Sequence, residues 1–313
     1  MNNNPITSQR LNLPKVNNAP MSLMLLFCLF GFCMILTPIL TGLTGKVSSK
    51  PEATLRIAMV LQDLLIFIIP AIVVALVSTR LPAQLLAVNC RVSWRALLLA
   101  IIGLVVSIPA MNFVITWNEN IHLPTSLSNV ESMLRELEAN AQAVTDSLMS
   151  GASIPSVIVS VLIVGVLAGF SEELFFRGSF QQLLCATRLN YHAAVWIVAF
   201  IFSLVHFQFF GFVPRLILGA YFGYLLLWTR SLWIPICVHV FNNSVVVIST
   251  WLSVNNPSDS SLVVDTIGTN MSDGVNVVAV IVSVILTIMV LIAIKKLSTK
   301  SFKKTRLTNG AFS

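Results

Sequence analysis

Long apolar runs separated by short polar clusters dominate the chain. A transmembrane helix needs ~20 predominantly apolar residues. Eight stretches approach that length, at 21–43, 54–78, 94–116, 153–176, 192–208, 210–229, 231–252 and 275–294. The fifth is short and its link to the sixth is tight. The expected fold is therefore all-α, a polytopic transmembrane helical bundle of about eight spans. Between the third and fourth runs, VESMLRELEANAQAVTDSLM puts Val130, Met133, Leu134, Leu137, Ala141 and Val144 at helical spacing. That pattern suits an amphipathic helix on the outer membrane interface, or equally a solvated connector. Gly165 with Gly169, and Gly219 with Gly223, recur four residues apart, which suits close helix packing in lipid.

Composition supports this reading. Hydrophobic residues make up 56% and charged residues 10% of the chain, against ~25% charged in an ordinary soluble domain. Too few polar groups are present to cover a globular surface in water. The net charge of +7 does not point to nucleic acid, because Lys295, Lys296, Lys300, Lys303, Lys304 and Arg306 cluster beyond the last apolar run. There they act as a topology signal and headgroup contact. Arg10, Lys15, Arg80, Arg91, Arg95, Arg188 and Arg230 fall on the same side if all eight runs cross. Glu119, Glu131, Glu136, Glu138, Asp146, Asp259, Asp265 and Asp273 fall on the other, and Lys46 and Lys50 depart from the pattern. The basic bias expects both termini in the cytoplasm, at a bacterial inner membrane. The five cysteines form no CxxC pair and read as small buried hydrophobes. No cleavable signal peptide is expected, since a polar arm of about twenty residues precedes a first run too long for a signal. NGAFS is not a prenylation box and TGLTGK is not a phosphate loop.

Ionisable groups at membrane depth are expensive and mark function by default. Here they are Asp63, Glu172, Glu173, Arg177, His206, Arg215 and His239, with Asn242 and Asn243 as neutral company. Glu173 and Arg177 are four apart with the acid first, the favourable order for an intrahelical ion pair. Arg177, beside Gly178, is expected at the cytoplasmic end of its span, reaching the interface. Glu172, rotated by about 100° on the helix, is then left without a cation. It is a candidate general base, or both acids line a wet mouth. Phe202 stands one turn before His206, and Asn243 one turn after His239. His122 and His192 have no evident partner. Asp63 and Arg215 could pair with each other or face water near the outer mouth.

One glutamate, two histidines and one asparagine suit hydrolysis. A glutamate aided by histidine can deprotonate water, and a histidine with an amide can stabilise an oxyanion. Glu172, His206 and His239 could instead hold zinc. Neither HExxH nor GxSxG occurs.

At these residues the chain resembles the CPBP family (CAAX protease and bacteriocin-processing, or Abi) of intramembrane endopeptidases. Its motifs EExxxR, FxxxH and HxxxN are matched by Glu172, Glu173 and Arg177, by Phe202 and His206, and by His239 and Asn243. The resemblance implies a peptidase core over 151–252. It is preceded by a cytoplasmic arm at 1–20 and a variable membrane region with its amphipathic loop at 21–150. An outer loop, last span and basic tail follow at 253–313. It further implies Glu172 as the water-activating base with His206 as partner, and His239 with Asn243 as oxyanion site. Glu173, Arg177 and Phe202 are supports, the chemistry uses either no metal or Zn2+, and the site opens toward the cytoplasm. The substrate would be a peptide or protein in or at the lipid bilayer. A non-catalytic immunity or scaffold protein on the same fold is the main rival. A proton-coupled transporter would use Asp63, Arg215 and the histidines, but the internal repeats expected of one are not evident.

Overall fold

A computed structural model describes residues 13–44, 51–149, 153–255 and 277–309. Lys46, Lys50, Asp259, Asp265 and Asp273 lie outside them. The described chain is helical, with α1 at Ala19–Thr44, α2 at Glu52–Ser78, α3 at Trp94–Val106 and α4 at Ile108–Glu119. Then come α5 at Ser128–Met149, α6 at Ile154–Ala186, α7 at Tyr191–Leu204, α8 at Phe212–Thr229, α9 at Trp233–Asn255 and α10 at Val277–Asn309.

Among the described residues, six helices are long and apolar enough to cross a membrane. The expected third span is α3 and α4, bent by 48°. Pro109 cannot donate into the helical ladder, which breaks it there. Ser283 of α10 mends the gap, donating to the Val106 carbonyl (2.6 Å) and accepting from the Ala110 N–H (3.2 Å). A polar side chain from a neighbouring helix thus satisfies backbone that lipid could not. The expected fifth span is α7, whose 14 residues fall short of a crossing length. The expected fourth span, α6, runs ten residues beyond the predicted end at 176, to Ala186.

That extension sets the architecture. Residues Leu174–Gln181 of α6 are all buried, so this stretch is the axis of the bundle. Phe175 and Phe176 pack against Phe30 of α1, Phe67 of α2 and Phe202 of α7, with ring centroids 5.0–5.8 Å apart. The expected small-residue contacts are present. A Cβ on Gly169 would stand 3.1 Å from Val240 N, and one on Gly219 would stand 3.1 Å from the Phe202 ring and 3.2 Å from Ala199 Cα. A second core joins α3, α8, α9 and α10 through Ala96, Ala100, Phe222, Val238 and Ile294.

The amphipathic helix is α5. Its Val130, Met133, Leu137 and Val144 are exposed, while Glu131 caps the preceding loop. That carboxylate accepts from the Leu123 N–H (2.8 Å) and from Arg135 Nη2 (2.8 Å), and lies 3.1 Å from His122 Nδ1. His122 and His192 both have partners, the latter in Tyr224 Oη (2.9 Å).

Candidate active site

The motif residues sit on an unusual stretch of backbone. In α6 the turn Ala168–Glu173 is ordinary α-helix, but it lies between π-helical segments Val161–Leu167 and Leu174–Gln181. Such i→i+5 segments are rare and frequently mark functional sites. Each wider turn frees carbonyls from the regular ladder, and one is used at once. Asn243 Nδ2 of α9 donates to the Val164 carbonyl (3.3 Å), while Asn242 Nδ2 donates to Asn243 Oδ1 (3.2 Å).

Glu173 and Arg177 form the predicted ion pair, Nη1 to Oε1 at 2.6 Å, but not where expected. Arg177 does not reach an interface. Its side chain is 0% exposed, because α6 continues past it and α8 closes over it. Its Nη2 donates to the Gly219 carbonyl (2.9 Å), and its guanidinium lies over Phe202 (4.5 Å) and Phe222 (5.3 Å). Glu173 is equally buried and has a second partner that sequence reasoning missed. His239 Nδ1 lies 2.8 Å from Oε1, the same oxygen that receives Arg177. The carboxylate can only accept, so Nδ1 carries the proton.

Glu173 thereby fixes the His239 ring and turns Nε2 toward Glu172, 3.7 Å from its Oε2. That separation is too long for a hydrogen bond. Glu172 makes none among the described residues, and its side chain is 14% exposed where Glu173 is closed off. Stacking on Phe222 (4.6 Å, 22°) holds the imidazole from its face.

His206 lies just beyond the end of α7. Its Nδ1 donates to the Phe202 carbonyl (2.7 Å), capping the helix, and Phe207 follows in the left-handed region at φ 54°. Its Nε2 has no partner among the described residues, and Glu172, His239 and Arg215 are within electrostatic reach. Phe202 is the spacer, packed on His206 (5.0 Å) and His239 (6.0 Å). The turn after His206 is clamped from several sides. Asn118 of α4 donates to the Phe209 carbonyl (3.1 Å) and accepts from the Val213 N–H (2.8 Å). Glu138 of α5 accepts from the Phe210 N–H (3.1 Å), and Arg135 lies 4.1 Å over the Phe210 ring.

Asp63 and Arg215 are not mutual partners. Arg215 donates to both oxygens of Gln208 (Oε1 at 2.5 Å, carbonyl at 3.3 Å), bracing the His206 turn. Asp63, 3% exposed, accepts from Ser171 Oγ (2.8 Å), one residue before Glu172, and its other oxygen is buried without a partner. The sequence showed an acid at membrane depth there, but nothing in the pattern paired it with Ser171.

Among the described residues no three His, Cys, Asp or Glu side chains stand together so as to hold a metal ion. Glu173 takes Nδ1 of His239 and the helix end takes Nδ1 of His206, which leaves Nε2 of each imidazole without a hydrogen bond among the described residues.

Residues 154–245 match the family model described as Rce1-like, type II CAAX prenyl endopeptidase. Comparisons with curated proteins and with solved structures returned no match. The matched stretch contains Glu172, Glu173, Arg177, Phe202, His206, His239 and Asn243. That match supports the resemblance to the CPBP/CAAX protease family over this segment.

Proposed function

We propose that the protein is an intramembrane endopeptidase that uses Glu172 to activate water without a metal. The supporting observation is the division of labour between adjacent acids. Glu173 is consumed by Arg177 and His239, whereas Glu172 makes no hydrogen bond among the described residues and lies 3.7 Å from His239 Nε2. A carboxylate in that state can accept a proton from water as the oxygen attacks a peptide carbonyl. His206 Nε2 is the second acceptor and helps orient the water. The carbonyl becomes a tetrahedral oxyanion, to which His239 as imidazolium donates Nε2–H and Asn243 its remaining amide N–H. Glu172 then returns the proton to the amide nitrogen, the C–N bond breaks, and carboxyl and amine products leave.

Glu173 and Arg177 act through His239, and Phe202 keeps the two imidazoles apart. Substrates are peptides presented at a bacterial cytoplasmic membrane, in which the protein is a multi-pass resident. The test uses protein reconstituted in lipid with a membrane-peptide library, products being read by mass spectrometry with and without a chelator. Cleavage that survives the chelator is expected. Chelator-sensitive cleavage overturns the metal-free mechanism, and no cleavage of any peptide favours the non-catalytic scaffold.

A further inference from the structure

At the end of the bundle remote from the His206 turn, α3 begins and α10 leaves the apolar core. Between them runs a groove of about 450 Å3, lined by Trp94, Arg95 and Lys296 at its mouth and by Leu98, Ala293 and Leu297 along its floor. That volume lies within the ~300–1,000 Å3 of small-molecule sites. We propose that this groove seats one anionic glycerophospholipid, its phosphate between Arg95 and Lys296 and an acyl chain along Leu98, Ala293 and Leu297.

Local sequence creates the groove. Ala96 and Ala100 let α3 pack tightly on Ile294 of α10, and the small Ala293 beside that contact leaves the adjoining face unfilled. The floor is open at its side, where Leu98 is 49% exposed. Trp94, 67% exposed, stands at the mouth with the Arg95 guanidinium 5.5 Å from its ring centroid. An amphipathic ring there suits headgroup depth.

Charge makes the occupant specific. Neither Arg95 nor Lys296 has an ion-pair partner among the described residues, and no acidic side chain lines the groove. Two cations thus line one opening without an acidic neighbour among the described residues, and a phosphate supplies the missing anion. A soluble anion would use only the mouth and a neutral lipid only the floor. An anionic lipid uses both. Arg80, Arg91, Arg95 and Arg230 mark the side expected by basic bias to be cytoplasmic, where anionic lipids concentrate. The site lies outside residues 154–245 and does not depend on the peptidase reading.

Native mass spectrometry of the delipidated full chain tests this with phosphatidylglycerol, phosphatidylcholine of the same acyl chains, and inorganic phosphate. One phosphatidylglycerol per chain should bind well ahead of phosphatidylcholine. Arg95→Gln with Lys296→Gln should weaken it on the order of 30-fold, from the typical worth of a basic residue at an anionic surface. Ala293→Phe, which fills the floor but keeps both cations, should weaken it as well, and Lys295→Gln should not. Equal binding of the two lipids would overturn the proposal. So would inorganic phosphate matching phosphatidylglycerol in thermal protection, or phosphatidylglycerol binding unchanged in both the double variant and Ala293→Phe.

Discussion

The buried ion pair is where structure and chemistry can be separated most cleanly. Arg177→Met keeps the length and apolar character of the side chain but removes its charge. The structure allows three losses to be ranked. The hydrogen bond to the Gly219 carbonyl is worth ~0.6 kcal/mol, the average for such bonds inside membrane proteins. Stacking over Phe202 at 4.5 Å and Phe222 at 5.3 Å adds about 1–2 kcal/mol in a desolvated site. The largest loss is electrostatic. With Glu173 0% exposed, its carboxylate would be left without the cation, a change that costs about 3–5 kcal/mol. The whole effect is therefore expected to be about 5–8 kcal/mol, dominated by Glu173. Unfolding in mixed micelles, followed by titration with a denaturing detergent, measures it. Adding Glu173→Gln removes the stranded charge while keeping an acceptor for His239, so the double variant should recover about 1–3 kcal/mol relative to Arg177→Met alone. A cost below about 1 kcal/mol for Arg177→Met, or strict additivity in the cycle, would refute this electrostatic account.

Gly219→Val pushes a side chain against Phe202 and Ala199 and should destabilise by about 1–3 kcal/mol with loss of cleavage, whereas Gly31→Ala, which meets nothing within 4 Å, should be near neutral in the same unfolding titration. The Arg135 guanidinium, then the Leu123 N–H and His122, hold the Glu131 carboxyl down at about 2. Because that value is below the unfolded ~4.3, the stabilisation is complete above ~4.3 and is lost as pH falls toward 2. Hydrogen exchange at the Leu123 amide should accelerate over that window, and Glu131→Gln should be fast throughout. The expected outer position of α5 and the expected cytoplasmic opening conflict, because α5 clamps the His206 turn through Glu138 and Arg135. Asn140→Cys, in a background with the native cysteines replaced, should react with an impermeant thiol reagent from outside intact cells if the basic bias sets topology. Reaction only after permeabilisation would place the site on the cytoplasmic side.

Much of the fold was legible because lipid imposes a simple rule on sequence. Among the described residues, apolar runs located the six helices long and apolar enough to cross to within a few residues at most ends, and the four-residue glycine spacings marked real close approaches at Gly169 and Gly219. The rule failed where chain and bilayer part company. The run ending at 176 meets a polar cluster, FFRGSFQQ, that reads as a span end yet is buried by other helices. Hydropathy cannot tell solvent from a protein interior, so Arg177 was expected at a surface. α7 is too short to cross, and the turn that follows it is held at Gln208, Phe209 and Phe210 by Arg215, Asn118 and Glu138, contacts that hydropathy does not show.

The candidate site shows the same division. The side chains that gather there carry the motif spacing, and the Glu173–Arg177 pair was readable because it depends on one helix alone. The link from Glu173 to His239 was not, since it joins two spans and requires the π-helical segments flanking Ala168–Glu173. Nor was Ser171 with Asp63. These interhelical bonds turn a set of polar residues into an oriented one, leaving Glu172 as the acid with an open carboxylate.

The most direct measurement is peptide cleavage in lipid by wild type and Glu172→Gln, in water enriched in 18O and with the two proteins matched for fold by unfolding titration. The account predicts one 18O in each new carboxyl terminus for wild type, and a rate at least about 100-fold lower for Glu172→Gln, as removal of a general base gives. Equal rates for the two proteins would contradict it.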